Sequence, residues 1–251
     1  MMKKVKKVLT LMVLGSLLPT LVLCSSDDEG TMNTNNPPSS SKNKIMPLGA
    51  SRVAGARPEY ESYRYELWKL LVNSGVEFDF VGTETDNATY PDFNGQSFDR
   101  DHEGRGGISS GGILAEIDLW LNDLGTAPDI VLFSSPGGND GIDQLQQSVS
   151  NINAIIDILQ AANPNVIVYL ELPAPPLVSE QTTEFVAYYN DALQLLATVA
   201  EEQTSTTSQV LTIDVSTGFN DSFLADDVHY NEAGAQFIAN RYFETLQNIQ
   251  N

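Results

Sequence analysis

The chain has 251 residues, 41% of them hydrophobic, enough for one domain of about 200 residues around a single sizeable core once the N-terminus is set aside. It carries 13 Lys and Arg against 33 Asp and Glu, and only nine basic residues against the same 33 acids once Lys3, Lys4, Lys6 and Lys7 are excluded. That excess of negative charge argues against nucleic acid, anionic lipid surfaces and polyanionic substrates as partners and leaves neutral ones, and the single cysteine excludes an internal disulfide.

Residues 1–24 combine four lysines with an apolar run to Leu23, the layout of a secretory signal. LVLC, ending at Cys24, resembles a lipobox, with Leu23 where a small residue is usual. SSDDE after it resembles the acidic export signal of surface lipoproteins. Residues 25–44 offer almost nothing apolar to bury and read as a flexible tether. An exported protein is expected: either lipid-anchored through Cys24 at the outer membrane or cell surface, its one membrane contact, or, if this is an ordinary signal peptide with an incidental cysteine, periplasmic or secreted.

Residues 45–251 are predicted to be one folded domain. KIMPL, running into Gly49, reads as a first strand. In RPEYESYRYELWKLLVNSG the residues Tyr60, Tyr63, Leu67, Leu70 and Leu71 fall on one helical stripe that Gly75 stops. Val76, Phe78 and Phe80 alternate as a second strand over residues 76–82. A long polar loop, residues 83–112, precedes the helix ILAEIDLWLNDL; loops of that length are functional or disordered. Asp129 to Ser135, Asn165 to Leu172 and Gln209 to Val215 read as three further strands, each followed by a helix, the last of them NEAGAQFIANRYFETLQNI. Five short strands alternating with helices predict an α/β fold with a parallel sheet covered on both faces. Sites in such sheets form at the carboxyl ends of the strands, so the loops GASR, PGGND and DDVHY should converge.

The chemistry those loops offer is acyl transfer. His229 and Asp226 are three residues apart, a spacing at which a carboxylate can hold one imidazole nitrogen and leave the other free to take a proton from a serine. Ser51, flanked by small residues at a strand-to-helix turn, is the serine in reach of such a base. Taken singly, each has an ordinary reading: a surface turn for Asp-x-x-His, and a helix cap for the serine. Gly107 and the Asn139 amide lie in loops at the same end of the sheet, where donors for an oxyanion are needed. Tyr90, Phe93 and Phe98 serve either to stack on a sugar ring or to pack the long loop. Asp99, Asp101 and Glu103 alternate without a full calcium-ligand pattern, so no metal and no cofactor is expected.

In order and placement, Ser51 with its turn, the glycine loop DHEGRGGI, Gly-x-Asn-Asp and Asp-x-x-His resemble the four blocks of the SGNH hydrolase superfamily, the GDSL esterases. DHEGRGGI is similar to the second block of its carbohydrate-esterase branch. The resemblance covers Ile45 to about Gln247. It implies a three-layer, flavodoxin-like fold with a five-stranded parallel sheet and a serine esterase removing short acyl groups, above all acetyl, from esterified carbohydrate. It further implies Ser51 as nucleophile, His229 as base, Asp226 as its orienting acid, and an oxyanion hole of the Ser51 N–H, Gly107 and Asn139. Arg52 and His102 are candidates for substrate contact; Arg52 has a second reading as a helix-start residue paired with Glu59 or Asp101, and His102 as a support for the long loop. The family's first block is usually Gly-Asp-Ser, and here Ala50 stands in place of the aspartate. A lipid or arylester acylhydrolase on the same triad, and a silent glycan-binding protein of the same fold, are the rivals.

Overall fold

The computed structural model describes residues 43–247. The signal, lipoprotein and tether readings of residues 1–42 lie outside it.

The first strand, β1 (Lys44–Gly49), is followed at once by a one-turn helix α1 (Ser51–Ala54) and then by α2 (Arg64–Ser74). Next come β2 (Asp79–Phe80), β3 (Glu84–Thr85) and β4 (Asp101–Gly104), all short, and then α3 (Ser110–Leu124). The remainder alternates: β5 (Ile130–Phe133), α4 (Leu145–Ala162), β6 (Ile167–Leu172), α5 (Thr183–Gln203), β7 (Gln209–Asp214) and α6 (Glu232–Leu246).

The sheet order is β3-β4-β1-β5-β6-β7, with β2 also on β1; every pairing is parallel except β3 with β4. The strand count of five therefore needs correction. The second strand shrinks to Asp79–Phe80, paired with the start of β1, while Glu103 and Gly104 of the supposed loop pair with Leu48 and Gly49 at its end. Two short segments share an edge for which one strand was expected. Strand order reverses between β1 and β5, which opens a crevice at their carboxyl ends.

Alternate strand residues face alternate layers, as the pleat requires. Ile45, Ile130, Leu132, Tyr169 and Ile213 join Leu67, Leu71, Ile238 and Tyr242 from α2 and α6. Met46, Leu48, Val131, Phe133, Val168 and Leu170 join Ile113, Ile117, Ile155 and Leu196 from α3, α4 and α5. The helices thus cover both faces of a central sheet in three layers.

The predicted stripe from Tyr60 breaks, since α2 starts only at Arg64, although Gly75 ends it in a left-handed conformation (φ 74°) as expected. Residues 56–61 instead form a tight turn, closed by a bridge between Ala56 and Tyr60. The long segment 83–112 is packed on the domain: Phe98 is buried, and Tyr90 and Phe93 pack against the same cluster as Trp68. The packing role is thus the one the structure gives these three aromatics.

Candidate active site

Ser51 is the first residue of α1, set there by the turn Gly49–Ala50. Gly49 has φ 155°, and a Cβ on it would lie 2.7 Å from the Ser134 carbonyl and 2.9 Å from Val53 Cγ2, so no larger residue fits. Arg64, fully buried, closes the other end of α1: its Nε donates to the Val53 carbonyl (2.7 Å) and its Nη2 to the Ala54 carbonyl (2.9 Å) and Asp86 (2.8 Å). Orphan carbonyls of a helix too short to hold itself are thereby satisfied by a buried cation.

His229 reaches Ser51 from the loop before α6. Its Nε2 lies 2.9 Å from Ser51 Oγ, and its Nδ1 lies 2.7 Å from Asp226 Oδ2. Asp226 Oδ1 accepts the backbone N–H groups of Val228 (2.9 Å) and His229 (2.7 Å), which locks the carboxylate beneath the ring. Burial acts to raise the Asp226 pKa, but these hydrogen bonds and the imidazole outweigh it and hold the acid below its ordinary range. The sequence leaves an ordinary turn possible for Asp-x-x-His; the structure joins it to a serine 178 residues away.

A contact the sequence did not reveal holds the histidine ring. The Tyr60 ring stacks on the His229 ring with centroids 3.8 Å apart and planes 11° from parallel. The backbone bridge between Glu61 and Tyr230 brings the two segments together, with Glu61 N donating to the Tyr230 carbonyl at 2.8 Å.

The two oxyanion candidates meet at this end of the sheet. Arg105 N donates to the Gly49 carbonyl (3.0 Å), and Ile108 N closes the turn onto the Arg105 carbonyl (3.2 Å), so Gly107, exposed with φ 75°, lies in a turn tied to the end of β1. Asn139 Nδ2 donates to the Ile108 carbonyl (2.9 Å), tying the PGGND loop to the same turn. Asp140 accepts from Ser148 Oγ (2.6 Å) and faces Ser110 N at the start of α3, anchoring that loop from below. Ser51 and Asn139 border one pocket.

The substrate-contact candidates are placed differently. His102 is a correction: it lies inside β4, 4% exposed, with Nδ1 accepting from Gly104 N at 3.0 Å. Its backbone fills the space beside Gly82, where any Cβ would sit 2.0 Å from the His102 carbonyl. Burial first, and the Arg64 charge second, push its pKa down to about 3, so it is a neutral structural histidine and does not face substrate. Arg52 pairs with neither Glu59 nor Asp101. Its Nε donates to the Val228 carbonyl (2.9 Å) and its Nη1 to the Ala174 carbonyl (2.8 Å), with the guanidinium over the Tyr230 ring. It borders the pocket while its donors bind the protein's own backbone.

The acids of the long segment also have internal partners. Glu103 is held by Thr83 and Arg105, and Asp99 accepts from Phe80 N (2.7 Å).

With this geometry established, the comparisons decide the family. Residues 73–237 match the model of the GDSL-like lipase/acylhydrolase family. The chain belongs to this family. The GDSL-like match begins after Ser51, so the family model itself does not cover that serine. A carbohydrate esterase family 3 protein from Talaromyces cellulolyticus is similar at 29% identity and TM-score 0.69, covering 82% of this chain and 97% of that one. An acetyl esterase crystallised with an acetate ion is similar at 28% identity and TM-score 0.68, covering 82% and 97%. A family 3 carbohydrate esterase from Clostridium thermocellum is similar at 27% identity and TM-score 0.65, covering 82% and 96%. No curated protein sequence matches the chain. This GDSL-like protein is an SGNH serine carboxylic ester hydrolase with the fold of that branch, and its substrates are esters.

Proposed function

We propose that the protein is an exported esterase that removes acetyl groups from carbohydrate through an acyl-enzyme on Ser51. The observation that carries this reading is the continuous chain Ser51 Oγ, His229, Asp226 at 2.9 and 2.7 Å. In the mechanism, Ser51 Oγ attacks the ester carbonyl as His229 Nε2 takes its proton, and Asp226 stabilises the imidazolium. The oxyanion is received by the Ser51 and Gly107 backbone N–H groups and the Asn139 amide. His229 Nε2 gives that proton to the departing sugar oxygen, then takes one from the water that attacks the acyl-enzyme and returns it to Ser51 Oγ as the acid leaves.

Acetyl and carbohydrate specificity are supported by the block DHEGRGGI and by the likeness to acetyl and carbohydrate esterases. The acidic charge of the chain accords with a neutral polymer. Export, with a lipid anchor at Cys24 holding the domain at the outer membrane or cell surface, rests on the lysine-led apolar segment and LVLC.

A second reading has its own observation. Beside Ser51 lies a cavity of about 250 Å³ walled by Pro173, Phe185, Tyr188, Tyr189 and Leu196, more apolar space than an acetyl group fills. It favours an acylhydrolase for larger, apolar acyl groups. Acid release from aryl acetate and from acetylated xylan, with Ser51→Ala alongside, tests the first reading. Turnover on both, abolished in the variant, supports it. Aryl-ester turnover that rises past butyrate, with none on the xylan, supports the second.

A further inference from the structure

Beneath the reacting groups lies a carboxylate that no step above uses. Glu171, in β6, is 0% exposed. A carboxyl group taken that far from water needs hydrogen-bond partners, and four donors surround it. Oε1 accepts from Ser135 N (3.0 Å) and Ser135 Oγ (3.1 Å). Oε2 accepts from Ser134 Oγ (2.8 Å) and from the Tyr242 hydroxyl (2.7 Å).

Three of those bonds fall on the two residues that lead out of β5 toward Asn139. Ser135 has φ 44°, a left-handed conformation that a serine takes up only under constraint. Gly138 N then donates back to the Ser135 carbonyl (2.9 Å), so the path to Asn139 is a tight turn springing from the constrained residue. Arg52 lies on the other side: its Nη1, bonded to the Ala174 carbonyl, also approaches Ser135 Oγ (3.4 Å), and its Nε holds the Val228 carbonyl next to His229. Glu171 thus stands where the loop of the oxyanion amide and the loop of the base are tied to the sheet.

We propose that Glu171 is a positioning residue, which by gripping Ser134 and Ser135 holds the Asn139 amide where the oxyanion develops. The proposal rests on the esterase reading above. A group that aims an oxyanion donor acts on the transition state more than on bound ester, so its loss falls on kcat and spares KM.

The experiment measures kcat and KM on 4-nitrophenyl acetate for the full chain, Ser51→Ala, Glu171→Ala and Glu171→Gln, with far-UV circular dichroism for folding. Glu171→Ala is expected to lower kcat at least about 30-fold with KM within about threefold, while Glu171→Gln, which keeps one acceptor for Ser135, stays within about fivefold of wild type. A Glu171→Ala protein within about twofold of wild-type kcat, a loss confined to KM, or a glutamine variant as slow as the alanine one would overturn the proposal. If Glu171→Ala does not fold, Ser135→Ala, which removes one bond to Oε1 from a partly exposed position, is expected to lower kcat about fivefold at unchanged KM, and a wild-type kcat there overturns it equally. No acid release by the wild type, or Ser51→Ala as fast as wild type, removes the esterase reading and this proposal together. An active wild type beside an equally active Glu171→Ala removes the proposal alone.

Discussion

The ring of Tyr60 lies on the ring of His229 at 3.8 Å and 11°, on the flank of the imidazole that Ser51 and Asp226 leave open. An aromatic plate there limits rotation about the histidine's side-chain bonds without taking up either ring nitrogen. Tyr60→Ala is therefore expected to lower kcat about tenfold on an aryl acetate with a smaller change in KM, whereas Tyr60→Phe, which keeps the stack, retains most activity. Equal losses in both would mean that the hydroxyl matters and the stack does not.

Asp226→Asn keeps the size of the acid but offers the imidazole a different hydrogen-bonding partner. With the Val228 and His229 N–H groups still asking for an acceptor, the amide oxygen is drawn to them and its NH₂ is turned toward Nδ1, favouring the wrong tautomer. We expect kcat to fall about 100-fold or more, at little cost in thermal stability. Steady-state kinetics beside a melting curve check both.

Asn139→Ala removes the proposed side-chain oxyanion donor. Loss of one such donor elsewhere costs about 100-fold or more in kcat, and a similar fall is expected here at nearly constant KM. A parallel rise in KM would indicate instead that the tie to the Ile108 carbonyl shapes the binding site.

Gly49→Ala places a methyl group 2.7 Å from the Ser134 carbonyl, in a backbone conformation that L side chains rarely adopt. A loss of about 2 kcal/mol or more is expected in chemical denaturation, with activity reduced in what folds, because the displaced turn leads directly into Ser51.

Asp99 gives a pH signature. Burial, with Asp101 nearby, outweighs its bond from Phe80 N and raises its pKa to about 7. Unfolded, it titrates near 3.9, so between about pH 4 and pH 7 the folded state holds the extra proton and stability declines as pH rises through that window. Asp99→Asn is expected to melt higher than wild type at pH 8 and to lose that advantage at pH 4. Melting curves across the range measure it, and a constant difference would refute it.

Much of this was legible in the chain because it is written locally. The buried strands 130–133 and 167–172 declare themselves as apolar runs, and Gly75 and Asn231 end and begin helices through their own backbone and side-chain chemistry. The motif order placed Ser51, Asn139, Asp226 and His229 in loops at one end of the sheet, and the structure brings them to one end.

What the tertiary structure alone decided depends on partners far away in the sequence. Strand β4 has an alternation too short to stand out among acids, and it is a strand because β1 offers it an edge. Tyr60 carries the spacing of a helix, but its segment turns early and the ring is spent on His229. His102 reads from the sequence as either a substrate contact or a support for the long loop, and its burial decides for the support. Glu171 looks like one polar residue in a strand, yet it gathers four donors from the two residues just after β5 and from α6. Periodicity and capping are properties of neighbours along the chain, whereas desolvation and hydrogen-bond satisfaction belong to a folded interior, and only the fold assigns them.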